Sequence, residues 1–427
     1  MPEQSGDVQL PPGALDGVVV LDATQMLAGP LCAMRMGDLG ADVIKIEPPS
    51  GEFNRSHGFE DIRVGGEMTT FLAVNRNKRS LSVNLKDPDG LATLLDLART
   101  ADVFVQNFRH GTAERIGIGY DQLQAINPGL VYCSISGYGS SGPYRDRPGQ
   151  DLVIQGYSGS MYSVGAEGDP PTPSALWAAD VMTGYQAAIG ILAALHARER
   201  TGRGQKVEVD MLSVVLDCQA QEMVTFLNSG RMPTRSQEVG AHASIPAPYG
   251  VYKTKDGWIA LAMAPLSNLG EALDDDWLRT LTHYNDGHVY RDEVYRHIRD
   301  KFKPRTSEEW LAVLDGEGVW AGPVYDYADL EQDRHIEELG IITQQPQAWG
   351  DIRTVRVPIQ LSSQPTMIRR GAPPLGGETR EILRDVLGYG EERIERLLAS
   401  GAAAAHEPDE HGSPQRVDNN EEVDDGE

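Results

Sequence analysis

The chain has 427 residues, more than one hydrophobic core usually serves, so two domains or one elaborated domain are expected. It carries 63 acidic against 38 basic side chains, a net charge of −25, which disfavours nucleic acid or an anionic membrane as the main partner. Cys32, Cys133 and Cys218 show no C-x-x-C spacing, so neither a disulfide framework nor a zinc site is indicated.

Both ends of the chain are polar. Residues 1–14 lack the charged segment and following apolar segment of a signal peptide, and the chain has no run of about 18 apolar residues. We therefore expect a cytoplasmic location and no membrane partner. From His406 onwards the chain has nine acids and one arginine, with almost nothing apolar. We predict that residues 1–14 and 401–427 are disordered.

The first 135 residues alternate short β-branched runs with helical patterns. The runs predicted to be strands are 18–21, 43–46, 81–85, 103–105 and 130–135. Helical stretches such as 30–39 and 90–100 separate several of them. This alternation predicts an α/β fold with a doubly wound, Rossmann-like parallel sheet. In such sheets, ligands bind beyond the carboxyl ends of the strands.

A glycine-rich segment, SISGYGSSGP, includes the end of the last of these strands and the residues after it. Gly137, Gly139 and Gly142 match G-x-G-x-x-G, the pattern of a dinucleotide-binding loop. Such a loop leads into a helix whose amides hold the pyrophosphate, but Pro143 and Pro148 follow here and oppose a helix start. We therefore favour a flexible loop whose backbone approaches a ligand over a dinucleotide site.

A long helix is predicted within residues 174–211. Apolar residues recur at helical spacing from 181 to 195, and Gly202 and Gly204 end the helix after a basic last turn. Asp180 stands at its amino end. It is either an N-cap, for which Asp is a preferred residue, or a carboxylate kept ionised by the helix dipole and so able to act as a covalent nucleophile. The residues alone favour the N-cap.

Six segments follow one another in a specific order. They are GVVVLDATQMLAGPLCAMRMGDLGADVIKIEPP, NRNKRSLSVNLKDPDG, ADVFVQNFRHGTAERIGIGY, INPGLVYCSISGYGSSGPYRDRPGQD, TGRGQKVEVDM after the Asp180 helix, and GVWAGPV. Together they resemble the family III (CaiB/BaiF-type) CoA-transferases, the group that includes formyl-CoA transferase and crotonobetainyl-CoA transferase. The resemblance runs from about residue 15 to about residue 399. No single segment would be specific alone.

The resemblance implies a reaction. The nucleophile of this family is an Asp at the start of the helix before the T-G-R-G-Q turn, and Asp180 occupies that place. Its carboxylate would attack an acyl-CoA thioester to give a mixed anhydride. The released CoA thiolate would then form an aspartyl-CoA thioester, from which a small carboxylic acid collects the CoA. The resemblance implies no metal and no permanently bound cofactor, since CoA enters as the thioester substrate.

The resemblance also implies a CoA-binding set in the turns after the predicted strands. Its members are Met26, Leu27, Val83, Lys86, Asn107, Phe108 and Arg115. Lys86 and Arg115 suit phosphate oxygens as charged donors, and Phe108 suits an adenine ring. Without the resemblance, the two cations would be interpreted as surface charges and Phe108 as a core residue.

The sequence departs from the family pattern at several places. Pro48 stands where formyl-CoA transferase often has Arg, and Pro148 replaces a later cation. The glycine run that closes over the nucleophile in formyl-CoA transferase reads GAHASIPAPYGVY here, at about residues 240–252. Oxalate-type specificity is therefore not expected. The candidates for a mobile flap near the thioester are Gly137, Tyr138 and Gly139.

Other functions remain open. The α-methylacyl-CoA racemases share the fold but resemble G-H-D where this chain has Gly149, Gln150 and Asp151, and the Gln150 amide cannot take a proton near neutral pH. A catalytically inactive CoA-binding partner subunit is a second alternative, against which the retained Asp180 argues. A thioesterase would differ only in using water as the acceptor.

The rest of the chain predicts a smaller α+β domain. Alternating runs around residues 255–257 indicate a hairpin, and Thr306 with Glu309 indicates a capping box at a helix start. A strand-like run at 354–361 and a helical pattern at 379–388 return to the large domain. The predicted boundaries are 15–225 and 329–400 for the large domain and 226–328 for the small one. The resemblance implies a homodimer of interlocked rings, with each active site built from both chains.

Overall fold

The computed structural model describes residues 12–238 and 241–406. The predicted disorder of residues 1–11 and 407–427 therefore concerns residues outside the described ranges. The chain divides into two compact units. The first contains the described parts of Met1–Gly149, Asp180–Val214 and Gly340–Glu427, and the second contains those of Gln150–Ala179 and Val215–Leu339.

The regular elements are numbered in chain order. The strands are β1 (Val19–Ala23), β2 (Asp42–Glu47), β3 (Arg63–Val64), β4 (Glu67–Met68), β5 (Lys78–Val83), β6 (Val103–Gln106), β7 (Val131–Ser136), β8 (Lys206–Asp210), β9 (Gly250–Lys253), β10 (Trp258–Leu261), β11 (Ala321–Pro323), β12 (Ile342–Gln345), β13 (Ile352–Val355) and β14 (Ala403–Ala404). The α-helices are α1 (Ala28–Asp38), α2 (Thr69–Val74), α3 (Pro88–Ala98), α4 (Thr112–Ile116), α5 (Tyr120–Ile126), α6 (Asp151–Ser158), α7 (Ala178–Thr201), α8 (Met211–Cys218), α9 (Ala220–Ser229), α10 (Leu266–Ala272), α11 (Asp276–Thr280), α12 (Asp286–Val289), α13 (Arg291–Ile298), α14 (Ser307–Gly316), α15 (Tyr327–Gln332), α16 (Arg334–Glu338), α17 (Thr379–Glu381) and α18 (Glu391–Ser400).

The main sheet of the first unit has, within the described residues, the strand order β14-β5-β2-β1-β6-β7-β8. All neighbouring strands run parallel except β14, which is antiparallel to β5. The chain leaves the central strand β1 towards β2 and β5, and then crosses to β6 on the other side. The strand order therefore reverses between β1 and β6, which is where open α/β sheets bind ligands. The predicted α/β class and parallel sheet are confirmed.

Helices cover both faces of this sheet. On one face, α1 and α7 pack on the apolar side chains of β1, β6 and β7. On the other face, α3, α5 and α18 enclose a second apolar cluster. Helix α7 is long and apolar enough to cross a membrane by length and composition alone, but Ala187, Ile191 and Ala194 are buried in the first cluster, as in a core helix.

The second unit has its own core between the β9–β10 hairpin and the helices α10, α11, α13 and α14. The hairpin forms where it is predicted. Helix α14 begins with the predicted capping box. The Thr306 hydroxyl accepts a hydrogen bond from the Glu309 amide, and the Glu309 carboxylate accepts one from the Thr306 amide.

The observed units differ from the predicted domain boundaries. Residues 150–179 belong to the second unit, which also extends to residues 215–339. Arg235 explains part of this, since its guanidinium donates to the carbonyls of Met161, Tyr162 and Asp169 and joins the two segments. Sequence periodicity does not reveal such long-range side-chain bonds.

Two element predictions need correction. Residues 401–406 are folded rather than disordered, since β14 pairs with β5 and Ala402 and Ala403 are buried. The run at 354–361 is strand only to Val355, which pairs with Ile342, the first residue of its partner strand β12.

Candidate active site

A cavity of about 240 Å³ lies at the carboxyl ends of β1, β2, β5 and β6. Three residues of the predicted CoA-binding set line it: Val83, Lys86 and Phe108. The rest of its wall includes Thr24, Gln25, Glu47, Pro48, Glu52 and Ile116. The cavity has a buried apolar floor at Val83 and an exposed cation at its rim, Lys86. This combination suits a ligand with an apolar part and an anionic part.

The turn after β1, residues 24–27, borders this cavity and carries two further predicted residues, Met26 and Leu27. Side chains hold every main-chain polar group of its first three residues. For Thr24, the amide donates to Asp22 (3.1 Å) and the carbonyl accepts from the Lys45 ammonium (3.1 Å). For Met26, the amide donates to Glu52 Oε2 (3.0 Å) and the carbonyl accepts from Asn54 (2.8 Å). Side-chain hydrogen bonds, rather than the main-chain hydrogen bonds of a helix or a sheet, therefore fix the turn.

Asn107 holds the middle residue of the same turn. Its Oδ1 accepts the Gln25 amide at 3.0 Å, and its Nδ2 donates to the Gln25 carbonyl at 2.8 Å. Since Asn107 follows β6 and Gln25 follows β1, the pair bridges the point where the strand order reverses. The predicted CoA contact Asn107 thus also shapes the site, by fixing a neighbouring turn.

Met26 has a left-handed backbone conformation, with φ at 70°. For a side chain without hydrogen-bonding groups this costs about 1–2 kcal/mol, because Cβ approaches a carbonyl oxygen. The Met26 side chain is 38% exposed, so core packing does not explain the conformation. The hydrogen bonds to its amide and carbonyl offset the cost.

A buried ionic cluster lies beneath the turn. Lys78 donates to Asp22 Oδ2 at 2.8 Å, and Lys45 lies 3.4 Å from Glu52 Oε1. Burial lowers the pKa of Lys78 to about 8, against the opposing attraction of Asp22. Burial alone would raise the pKa of Asp22, but Lys78 and Lys45 together hold it below its ordinary value. Burial would likewise lower the pKa of Lys45, which the carboxylates of Asp22, Glu52 and Glu47 raise instead.

The cluster continues to the far side of Glu47. Arg55 donates to both Glu47 oxygens, at 2.7 and 2.8 Å, and to Glu67 at 3.1 Å. The sequence analysis did not assign a role to this cluster. The signal was present, since Lys45 and Glu47 lie in a strand of a doubly covered sheet, where a buried charge requires a partner.

Asp180 is the third residue of α7, so it lies within the first helical turn rather than capping it. Its side chain is half-buried. One turn further on, Gly184 packs so closely on α1 that an added Cβ would lie 2.7 Å from the carbonyl oxygen of Ala28. The first turn of α7 therefore lies beside the start of α1 and the turn that precedes it. Helix geometry brings Asp180 to the same end of the sheet as the predicted CoA-binding set.

Gly137 and Gly139, predicted as parts of a flap, have different environments. A Cβ added to Gly137 would lie 2.5 Å from the Cα of Gly149, and the Gly137 carbonyl accepts the amide of Leu212 at 3.1 Å. Close backbone packing thus explains this glycine. Gly139 has a φ of 85°, a left-handed conformation that glycine adopts without strain. It lines a second cavity of about 250 Å³, which Phe108 also borders. Tyr138 packs edge-on against the ring of Tyr144.

The remaining predicted residue, Arg115, lies in α4. It is exposed, and its guanidinium donates to Thr112 Oγ1 at 3.1 Å. Its neighbour Ile116 lines the first cavity, whereas Arg115 is not part of that wall. The site thus groups Val83, Lys86 and Phe108 around one cavity and leaves Arg115 at its periphery.

Two of the three cysteines lie in the apolar core of the first unit. Cys32 and Cys133 are buried, and burial raises the pKa of both thiols, that of Cys133 to about 12. Among residues 12–238 and 241–406, no group of three His, Cys, Asp or Glu side chains could hold a metal ion.

The fold and the site define an α/β protein with a cavity at the sheet edge near the strand-order reversal and a half-buried carboxylate in a helix's first turn. The sequence model of CoA-transferase family III matches residues 15–379, and the chain belongs to this family. It is therefore a CoA-transferase.

Known relatives match nearly the whole chain. Succinyl-CoA:glutarate CoA-transferase of Mus musculus is 36% identical over 406 residues, covering 92% of this chain and 91% of the relative. The beta subunit of succinyl-CoA–L-malate CoA-transferase of Chloroflexus aurantiacus is 35% identical and covers 90% of this chain and 96% of that protein. A CAIB/BAIF family protein from Brucella suis superposes with a TM-score of 0.78 at 31% identity, over 88% of this chain and 100% of the other.

Proposed function

We propose that this chain moves CoA from succinyl-CoA, or a closely similar acyl-CoA, to a short dicarboxylic acid, with Asp180 as the covalent nucleophile. The Asp180 carboxylate attacks the thioester carbonyl, and the C–S bond breaks to give a mixed anhydride and CoA thiolate. The thiolate attacks the aspartyl carbonyl, which releases the donor acid and leaves an aspartyl-CoA thioester. The acceptor carboxylate and CoA then repeat these steps in reverse.

The position of Asp180 carries the proposal. Asp180 lies in the first turn of α7, where the positive end of the helix dipole favours a negative charge. An ionised carboxylate is the form that acts as a nucleophile. The contact between Gly184 and Ala28 supports its placement next to the turn that borders the cavity.

The cavity at the carboxyl ends of β1, β2, β5 and β6 supports CoA binding. Lys86 at its rim suits a phosphate group as a charged donor, and Phe108 offers a flat apolar wall for adenine. Arg115 on the neighbouring α4 adds a second cation. We assign Met26, Leu27 and Asn107 to the same site, because their turns adjoin the cavity.

The substrate class rests on the relatives. The mouse and Chloroflexus proteins are named for succinyl-CoA and for glutarate or L-malate, which are dicarboxylic acids of four or five carbons. With identities of 35–36% over nine-tenths of this chain, a short dicarboxylate is the acceptor we expect here.

We further propose a cytoplasmic homodimer with interlocked chains. Two helices expose apolar side chains that a second copy of the chain would cover. Ile189 of α7 is 59% exposed, and Leu227 of α9 is 68% exposed. Sedimentation of the purified protein tests the stoichiometry, and a monomer at micromolar concentration would contradict it.

Trapping tests the nucleophile. The protein is incubated with succinyl-CoA, treated with hydroxylamine, and digested for mass spectrometry. We expect a hydroxamate at Asp180 in the parent and none in Asp180→Asn, with CoA transfer reduced by at least about 1000-fold. Asp121→Asn is the matched control, since Asp121 lies in the first turn of α5. An unmodified Asp180 with every acyl-CoA of a panel would favour the inactive CoA-binding subunit.

Acceptor dependence separates a transferase from a thioesterase. Labelled CoA is followed from succinyl-CoA in the presence of glutarate, malate or no added acid. We expect both dicarboxylates to accelerate the formation of a new CoA thioester. Equal CoA release with and without acid would identify water as the acceptor.

A further inference from the structure

The turn at residues 24–26 is an irregular segment that side chains hold in place. Its six main-chain polar groups all bond to side chains, as described above, and Met26 within it is left-handed. Three of the bracing groups come from β2 and the segment just after it: Lys45, Glu52 and Asn54. Such bracing is more than chain reversal requires, since ordinary turns form with a single internal hydrogen bond.

We propose that Glu52, with Lys45 and Asn54, is a clamp that positions the Met26 turn for the CoA thioester before substrate binds. Glu52 is the centre of this clamp. Its Oε2 accepts the Met26 amide at 3.0 Å, and its Oε1 lies 3.4 Å from the Lys45 ammonium. Lys45 in turn donates to the Thr24 carbonyl, so one buried ion pair fixes both ends of the turn.

The clamp is itself anchored. The Glu52 amide donates to Glu47 at 3.3 Å, and the paired guanidinium of Arg55 holds Glu47. Glu52 is 6% exposed and Lys45 is fully buried, so neither is free to follow a moving turn. Glu52 and Asn54, in the segment after β2, thus hold the strained residue, and Lys45 of β2 anchors Glu52.

The clamp matters for the reaction because of what the turn borders. Thr24, Gln25 and Glu52 line the cavity assigned to CoA, and the helix that follows the turn packs on α7 near Asp180. Released from the clamp, Met26 would relax to a negative φ and shift the turn, because only the hydrogen bonds oppose the strain. The thioester would then lose its alignment with Asp180. This role rests on the proposed function.

Two variants weaken the clamp in different ways. Glu52→Gln keeps the side-chain volume but removes the charge that faces Lys45. Asn54→Ala removes the donor to the Met26 carbonyl at a half-exposed site, where the fold tolerates the loss. We expect both variants to lower kcat for CoA transfer by about 10- to 100-fold, as misplacement near a reacting group does, and to speed hydrogen exchange at the Met26 amide.

Glu67→Gln is the matched control. Glu67 is a carboxylate of the same ionic cluster, paired with Arg55, but it has no bond to the turn. We expect its kcat to stay within about twofold of the parent. Weakening the bond between Glu67 and Arg55 should lower the stability of the fold rather than change the turn. If Glu52→Gln and Asn54→Ala are folded and match Glu67→Gln in kcat and in Met26 exchange, the clamp is refuted while the transferase function stands.

A double-mutant cycle identifies the mechanism. Glycine adopts a φ of 70° without strain, so Met26→Gly lets the turn keep its shape for part of the time without the clamp. We compare the fold-decrease in kcat that Glu52→Gln causes in the two backgrounds. We expect this decrease to be at least about threefold smaller in Met26→Gly than in the parent. Equal losses in both backgrounds would refute the clamp. A parent that neither binds CoA nor is labelled at Asp180 would instead refute the proposed function, and the role of the clamp with it.

Discussion

Lys78 donates a 2.8 Å hydrogen bond to Asp22, and both side chains are completely buried. The same ammonium donates to the Pro30 carbonyl and to Asn75 Oδ1. All three of its protons are therefore satisfied inside the first unit. The pair joins β5 to β1 and to the start of α1, directly beneath the turn that borders the candidate CoA cavity.

Removing one partner of this pair should lower the free energy of unfolding far more than removing both partners. Lys78→Met leaves Asp22 as a buried carboxylate without its closest partner, and we expect a loss of about 3–5 kcal/mol in the free energy of unfolding at pH 7. Asp22→Asn/Lys78→Met should lose less, because the buried ammonium that remains, Lys45, keeps Glu52 as its partner. Denaturant titration measures both, with Lys255→Met as an exposed control. A double variant at least as unstable as the single one would contradict this account.

The Asn107 amide should affect CoA binding beyond its effect on stability. Asn107→Ala removes both bonds to Gln25, so we expect about 1–3 kcal/mol less stability and about tenfold weaker CoA binding. Asn127→Ala is the control, since Asn127 also makes two side-chain bonds to backbone carbonyls, those of Ala98 and Ala101. Calorimetric titration with CoA should separate them. Equal CoA affinities in the two variants would show that Asn107 is only structural.

Lys86 should contribute to CoA affinity through its charge. It is exposed at the rim of the cavity, and a charged hydrogen bond to phosphate is worth about 1.5–3 kcal/mol. We expect Lys86→Gln to weaken CoA binding by about tenfold or more at low salt, and the difference to shrink at high salt as screening increases. Lys86→Arg should keep most of the affinity. Lys255→Gln, which changes an exposed lysine of the second unit, should not alter it.

The main sheet could be predicted because its strands carry strong local signals. β1, β6 and β7 are apolar runs that the sheet buries, and helical patterns separate them. The start of β5 could not be predicted from hydrophobicity. It begins at Lys78 and Arg79, whose burial depends on partners in distant parts of the chain, Asp22 and Asp42. β14 was missed for a similar reason, since two alanines give no strand signal.

The candidate site could be predicted only in outline. The family resemblance implies Val83, Lys86 and Phe108, which lie beyond the carboxyl ends of strands and share one cavity. The clamp at Met26 could not be foreseen, because methionine rarely adopts a left-handed backbone and nothing local marks it. Glu52 reaches that residue from 26 positions away in sequence. Side-chain bonds over such separations are set by the fold and leave no local pattern.

The burial of Lys78 should make stability depend on pH in an unusual direction. Its pKa is lowered to about 8 in the folded protein, from 10.5 in an exposed lysine. Between these values the folded chain has released a proton that the unfolded chain still binds, so the free energy of unfolding should rise with pH from about 8 to about 10.5. The comparison is with Lys78→Met, which lacks the titrating ammonium but keeps Asp22 as a partner of Lys45. We expect the parent to gain stability relative to this variant across that window. A parent whose stability relative to the variant stays constant across that window and falls only above about pH 10.5 would mean that Asp22 raises the pKa of Lys78 above 10.5, and that the ion pair outweighs the cost of burial.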